Sequence, residues 1–329
     1  MSVRNYKGEL RESILGLLWR QWSALGVMGH SGMQHDAWAI DPEALLLVSA
    51  LFCRYDQRLY DLVLSWMRRY GQLLTPTRVK ALLRTMPQID TKSLAYIAAV
   101  SAEAGDKRWR NLADELSRGN ALPEPLFRNP DDEPIGHYPQ EDPFARGYGF
   151  IRNEFRPQNK LHQQLPESNA TLVLRVRGVF GVSARADIIT QLMLRSCTIS
   201  ELIDASGYAR SSIKEELAAL EAGAAVTTAG LGVRNLSYVL VYAESLHRMM
   251  KTKSCQMVHW RHVYSAVLLL WQLVSELSRM TLSEDTIRGE LSLLFRDALQ
   301  NHFLKCGLEP LQKLSDARLL TLPSVLETL

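Results

Sequence analysis

SARADIITQLMLRSCTISELIDASGYARSSIKEELAALEAGAAVTTAGLGVRNLSYVLVY, residues 183–242, is the stretch whose spacing decides the fold. Its first run sets Ala186, Ile189, Leu192 and Met193 on one helical face, with Ser183 placed to cap the start. Thr198 is followed three residues later by Glu201, the capping-box pattern in which hydroxyl and carboxylate satisfy orphan backbone donors reciprocally. Ile199, Leu202 and Ile203 give that short helix a buried face. Gly207 then permits a left-handed turn at no steric cost. The chain restarts with Ile213, Leu217 and Leu220 at four- and three-residue intervals, so these face inward. Gly223 ends this helix, and two β-prone runs, 225–228 and 236–241, flank a turn rich in Gly230, Gly232 and Asn235.

The inward triad leaves Arg210, Ser211, Ser212, Lys214 and Glu215 outward at the start of the second helix. A helix about 10–12 Å across fits the DNA major groove, and its first residues reach base edges. Arg210 suits guanine or a phosphate, Ser211 and Ser212 suit phosphate or base contacts, and Lys214 suits phosphate. Arg234, at the tip of the expected hairpin, suits the minor groove or the backbone.

This segment, over residues 170–242, resembles the winged helix-turn-helix transcriptional regulators of the ArsR/MarR type. RVRGVFGVSARADIITQLML resembles the first core helices of that group, and SGYARSSIKEELAALEAGAAV its turn, recognition helix and entry to the wing. Ala209 stands where the group often carries a capping Ser or Thr, and Glu215, Glu216 and Glu221 add three acids to the helix. The resemblance implies sequence-specific binding of double-stranded DNA, usually as a homodimer on a palindromic site, with repression by promoter occlusion the expected mode.

Outward from this segment the chain reads as helices. The expected fold class is mainly α: a multi-domain helical protein whose winged helix-turn-helix domain carries a small β-hairpin wing. Residues 1–120 form an N-terminal helical domain. Asp41-Pro42 opens one helix there, Thr75-Pro76 repeats the device, and Leu59, Leu62, Val63, Trp66 and Met67 share a face. Residues 121–169 hold eight of the thirteen prolines and five basic against eight acidic residues, so they read as a partly mobile connector that does not lie along DNA. Residues 243–329 return to helices. The greasy stretch 258–277, with Trp260, Leu268, Leu270 and Trp271, reads as core or as a homodimer interface.

Net charge is only +3, from 38 basic and 35 acidic side chains, so any DNA contact must be a local basic surface. Residues 1–120 carry sixteen basic against twelve acidic residues, the most positive part of the chain. Around residues 70–77, Arg68, Arg69, Arg78, Lys80 and Arg84 read either as a solvated helix face or as a second DNA contact through Arg78, Lys80 and Arg84. The four cysteines, Cys53, Cys197, Cys255 and Cys306, are too scattered for a disulfide framework or zinc ribbon, and reduced cytoplasmic thiols are expected. The most apolar run, 263–274, is too short to span a bilayer, which needs about 20 residues, so no membrane is expected.

His259 with His262, and His30 with His35, lack a third ligand at a recognised spacing, so neither a metal nor another cofactor is expected. No phosphate loop, HExxH or GxSxG occurs, and the protein is not expected to be an enzyme. Two alternatives stay open. One is a protein-interaction or antitoxin-like module using the winged helix and C-terminal helices. The other is a HEPN-like helical ribonuclease acting through Arg296 and His302, a loose match that Arg156 with His162 repeats by chance.

Overall fold

The computed structural model describes residues 2–29, 37–118, 122–136, 138–230, 236–252, 255–256 and 258–329. The chain is mainly helical. It runs through α1 (Val3–Ala24), α2 (Pro42–Phe52), α3 (Gln57–Tyr70), α4 (Pro76–Leu83), α5 (Thr91–Glu103) and α6 (Arg110–Ser117). Then come β1 (Glu124–Pro125), α7 (Pro143–Gly147), β2 (Phe150–Ile151), α8 (Leu172–Phe180), α9 (Ala184–Leu194), α10 (Ile199–Ser206) and α11 (Arg210–Ala222). β3 (Val226–Ala229) and β4 (Ser237–Leu240) precede α12 (Ala243–Met249), α13 (Trp260–Leu277), α14 (Glu284–Leu294), α15 (Gln300–Lys305), α16 (Glu309–Gln312) and α17 (Leu322–Glu327).

Local chemistry sets the helix starts. The Asp41, Asp56 and Asp90 carboxylates accept from the amides of Ala44, Leu59 and Ser93, so α2, α3 and α5 each begin on a side-chain cap. Thr75 departs from the expected device: its side chain makes no cap bond at α4, and its amide instead donates to the Glu43 carboxylate at 3.0 Å. Ser183 likewise makes no side-chain cap at α9. The capping box on α10 is present, with Glu201 N donating to Thr198 Oγ1 at 3.2 Å and Thr198 N to Glu201 Oε2 at 2.8 Å.

Two separate hydrophobic cores result. The first joins α1–α6, the segment around β1 and β2, Leu174 of α8, and α13–α17. Trp22 and Trp66 meet edge to face in it at 5.1 Å, and Phe52 meets Trp271 at 5.2 Å. The second holds α8–α11, β3, β4 and α12, ending at Met250.

One expectation is corrected here, and the core reading of another stretch is met. The proline-rich stretch is packed where a partly ordered, partly mobile connector was expected: Leu126, Phe127, Ala145 and Phe150 are core residues. Its carbonyls are satisfied from other elements: Arg54 donates to Leu126 O and Arg11 to Pro130 O. The greasy helix α13 is covered by its own chain, packing on α1 and α2, with Trp260 Nε1 donating to Ala39 O at 2.8 Å. Its apolarity therefore needs no second copy to cover it. Among the described residues no helix is long and apolar enough to cross a membrane.

Candidate nucleic-acid interface

The start of α11 is positioned from beneath by the second core. Ile213, Leu217 and Leu220 are 0%, 1% and 8% exposed, and burying such side chains is worth about 1.5–3 kcal/mol each. Before them Gly207 adopts φ +76°, and its amide donates to Ile203 O at 2.8 Å, closing α10 in a left-handed cap. A Cβ at Gly207 would also lie 3.3 Å from Leu82 of α4, so this turn presses directly on the first core. β3 and β4 pair antiparallel in the register Val226↔Leu240 to Ala229↔Ser237. Cys197, between α9 and α10, adds a bridge to Tyr238 through paired amides and carbonyls at 3.1 and 2.8 Å. No periodicity announced that one-residue strand.

On the outer side, Arg210, Ser211, Lys214 and Glu215 are exposed. Arg210 and Lys214 stand four residues apart, on one stripe of the helix. Neither makes a hydrogen bond or ion pair to the described residues. Ala218, Ala219 and Ala222 keep the rest of the outer face thin. Glu216 is paired with Arg185 of α9 at 2.8 Å, which neutralises one of the three acids. Ser212 is half-buried and turned to the opposite flank. Arg234, Gly232 and Asn235 lie outside the described residues, as do His30 and His35.

The second basic group divides. Arg78 is 5% exposed and cannot reach a phosphate, which corrects its expected DNA role. Its guanidinium donates to both Asp41 oxygens at 2.5 and 2.6 Å, to Glu43 at 2.7 Å and to Ser206 O at 2.9 Å. Lys80 and Arg84 do face solvent, Lys80 paired with Glu115 at 2.5 Å. They line a groove of about 360 Å³ together with Arg108, Asn111, Ala209 and Ser212. The α4–α6 surface and the start of α11 thus meet along one edge, where Arg84 is exposed while Lys80 and Arg108 pair with Glu115 and Asp106.

What holds that edge together is a buried ion cluster at the junction of the two cores. Arg177 of α8 donates to Glu43 of α2 at 2.6 and 3.1 Å and to Asp187 of α9 at 2.8 and 3.0 Å. Arg177 and Glu43 are both 0% exposed at the side chain. Burial alone would lower the Arg177 pKa, yet the charges of Asp187 and Glu43 hold it above its ordinary value. Burial pushes Asp41 upward, and the Arg78 charge and hydrogen bonds more than reverse it, leaving Asp41 below the usual range. The Tyr208 hydroxyl, in the turn before α11, donates to Asp187 at 3.1 Å. Such a cluster is costly to desolvate and costly to break, so it fixes geometry more than it adds net stability.

No family profile, curated protein or solved structure matches this chain. The site's chemistry therefore rests on its own residues. A second polar cluster bridges the cores: Asp204 of α10 accepts from His262 Nε2 at 3.0 Å, and His262 Nδ1 lies 3.0 Å from His302 Nδ1. His302 is thereby turned to α13. Arg296 is exposed and donates to Ser292 O at 3.4 Å, so the hydrogen bonds do not bring the two ribonuclease candidates together. Sequence reading missed the Glu43–Arg177–Asp187 cluster, Arg108 and the Asp204–His262–His302 chain. The only available signal was a charged residue inside an apolar run, as with Glu43 amid PEALLLV and Arg177 in LVLRVRGVF.

Proposed function

We propose that the unit built on the second core is a winged helix that binds double-stranded DNA, and that the protein acts as a sequence-specific transcriptional regulator of the repressor type. α11 is the recognition helix and β3–β4 the wing. The observation that carries this reading is the pair Arg210 and Lys214. They stand on the exposed stripe of a helix whose other side is fully buried, and nothing among the described residues uses them. Phosphates supply most of the affinity, and Arg210 with Ser211 supplies sequence choice. Arg84 extends the footprint along the backbone, and Lys80 and Arg108 join it by exchanging Glu115 and Asp106 for phosphate, beside Ser212 and the free amides at the start of α11.

Selection from a random duplex pool tests this. The expected result is one enriched motif, bound with a log affinity that falls linearly with log salt at about −0.9 per phosphate neutralised. A pool that stays unenriched at low salt contradicts the reading. One observation favours a second reading, a protein-binding module: Val179, Tyr242 and Met249 of this unit are each more than half exposed. A stoichiometric protein complex together with an unenriched pool would select it.

A further inference from the structure

On the first core, away from α11, the early turns of α1 face residues 130–132 and the chain just after α13 across a cavity of about 590 Å³. Small-molecule sites span about 300–1,000 Å³. Arg4, Lys7, Gly8 and Arg11 line one wall at helical spacing, and Arg279 stands on another. Four cations meet two carboxylates, Asp131 and Asp132. We propose that this cavity binds a small polyanion carrying two or more phosphate-type groups, an effector site separate from the DNA-contacting edge.

A purely structural role accounts for two of the cations. Lys7 pairs with Asp132 and sits 5.2 Å from the Trp271 ring centre, and Arg11 donates to Pro130 O at 2.6 Å. Both are buried, and both staple residues 130–132 to α1. Stapling leaves Arg4 and Arg279 unexplained. They are exposed, and their guanidinium groups make no hydrogen bond or ion pair to the described residues. Two uncommitted guanidiniums on separate walls call for more than one anionic group, and the guanidinium fork matches phosphate bidentately. The buried, oriented ammonium of Lys7 keeps donors to spare for the same ligand.

Gly8 points the same way. A glycine inside a helix is destabilising relative to alanine. A Cβ built on Gly8 meets nothing within 4 Å. No neighbouring side chain requires the glycine, and a larger residue there would project into the cavity space.

The test is calorimetric titration of the full chain with inorganic pyrophosphate, at fixed ionic strength and without DNA, so its outcome is independent of the winged-helix reading. Saturable binding is expected, with sulfate at equal ionic strength giving much weaker heats. Arg4→Ala with Arg279→Ala removes two charge-assisted contacts and should weaken binding by about a hundredfold, taking about tenfold for each. Gly8→Leu keeps every charge and should abolish binding while leaving the unfolding temperature equal or higher. Absence of saturable binding overturns the proposal. So does pyrophosphate bound equally well by Gly8→Leu, because that result reports surface charge and not the cavity.

Discussion

Arg78 and Arg210 both looked like DNA ligands, and the two regions that carry them use arginine in opposite ways. Around the α3–α4 turn most of the positive charge is consumed by the protein itself. Arg78 is enclosed by Asp41, Glu43 and Ser206, Arg69 donates to Gln163 O, and Lys80 meets Glu115. At the start of α11, Arg210 and Lys214 are held out by a buried apolar triad and engage no described residue. A basic cluster in sequence is thus a count of charges. Whether those charges are available is decided by carboxylates tens of residues away.

That contrast can be broken from either side. The largest effect belongs to Glu43→Ala, which leaves Arg177 and Arg78 buried with a partner missing. Loss of about 3–5 kcal/mol is expected in urea unfolding, against a change within about 0.5 kcal/mol for Arg210→Ala with Lys214→Ala. Comparable losses for the two would erase the distinction. Next comes the flank of the groove. Lys80→Ala with Arg84→Ala should reduce the salt slope of DNA binding by about 1–2 while preserving the motif selected. An unchanged slope would confine the footprint to α11 and its wing.

The junction also carries a pH dependence. Burial, with neighbouring cations, pushes His259 and His302 down to about 4. The unfolded chain takes up these protons near the ordinary histidine value of about 6.5, while the folded chain stays neutral until about 4. The stability they contribute is therefore full above about 6.5 and lost as pH falls toward 4. The His262 hydrogen bond, aided by Arg261, holds Asp204 below the usual carboxylate range, so its contribution is lost at lower pH still. Urea midpoints measured from pH 7.5 to 4.5 should fall, and His302→Gln should flatten the slope. An identical slope in that variant would remove His302 from the account. The smallest effect is at Ala209, which caps α11 without a side-chain hydrogen bond. Ala209→Ser should add about 0.5–1 kcal/mol, and a loss in its place would mean the hydroxyl cannot reach the free amides.

Much of the mainly helical fold was legible because its signals are local. Asp41-Pro42, the Thr198–Glu201 box, Gly207 and the spacing of Ile213, Leu217 and Leu220 all act within a turn or two of chain. Local reading failed where the answer lay at long range. Prolines between 123 and 166 suggested a partly mobile linker, but Arg54 donates to Leu126 O, Arg152 within the stretch pairs with Asp61 of α3, and Phe127 and Phe150 are buried. The apolar face of α13 read equally as core or as a subunit interface, and its packing on α1 and α2 lay beyond local reading. At the candidate site the exposed positions of α11 followed from periodicity, whereas the loss of Arg78 and the entry of Arg108 depended on how two separate cores dock.

The most direct test compares duplex binding by the native chain with that of Arg210→Glu combined with Lys214→Glu, using the selected motif at low salt. The account predicts loss of at least about a hundredfold in affinity, since two phosphate or base contacts become repulsions, with unfolding curves that superimpose. Equal affinity in a folded double variant would contradict it.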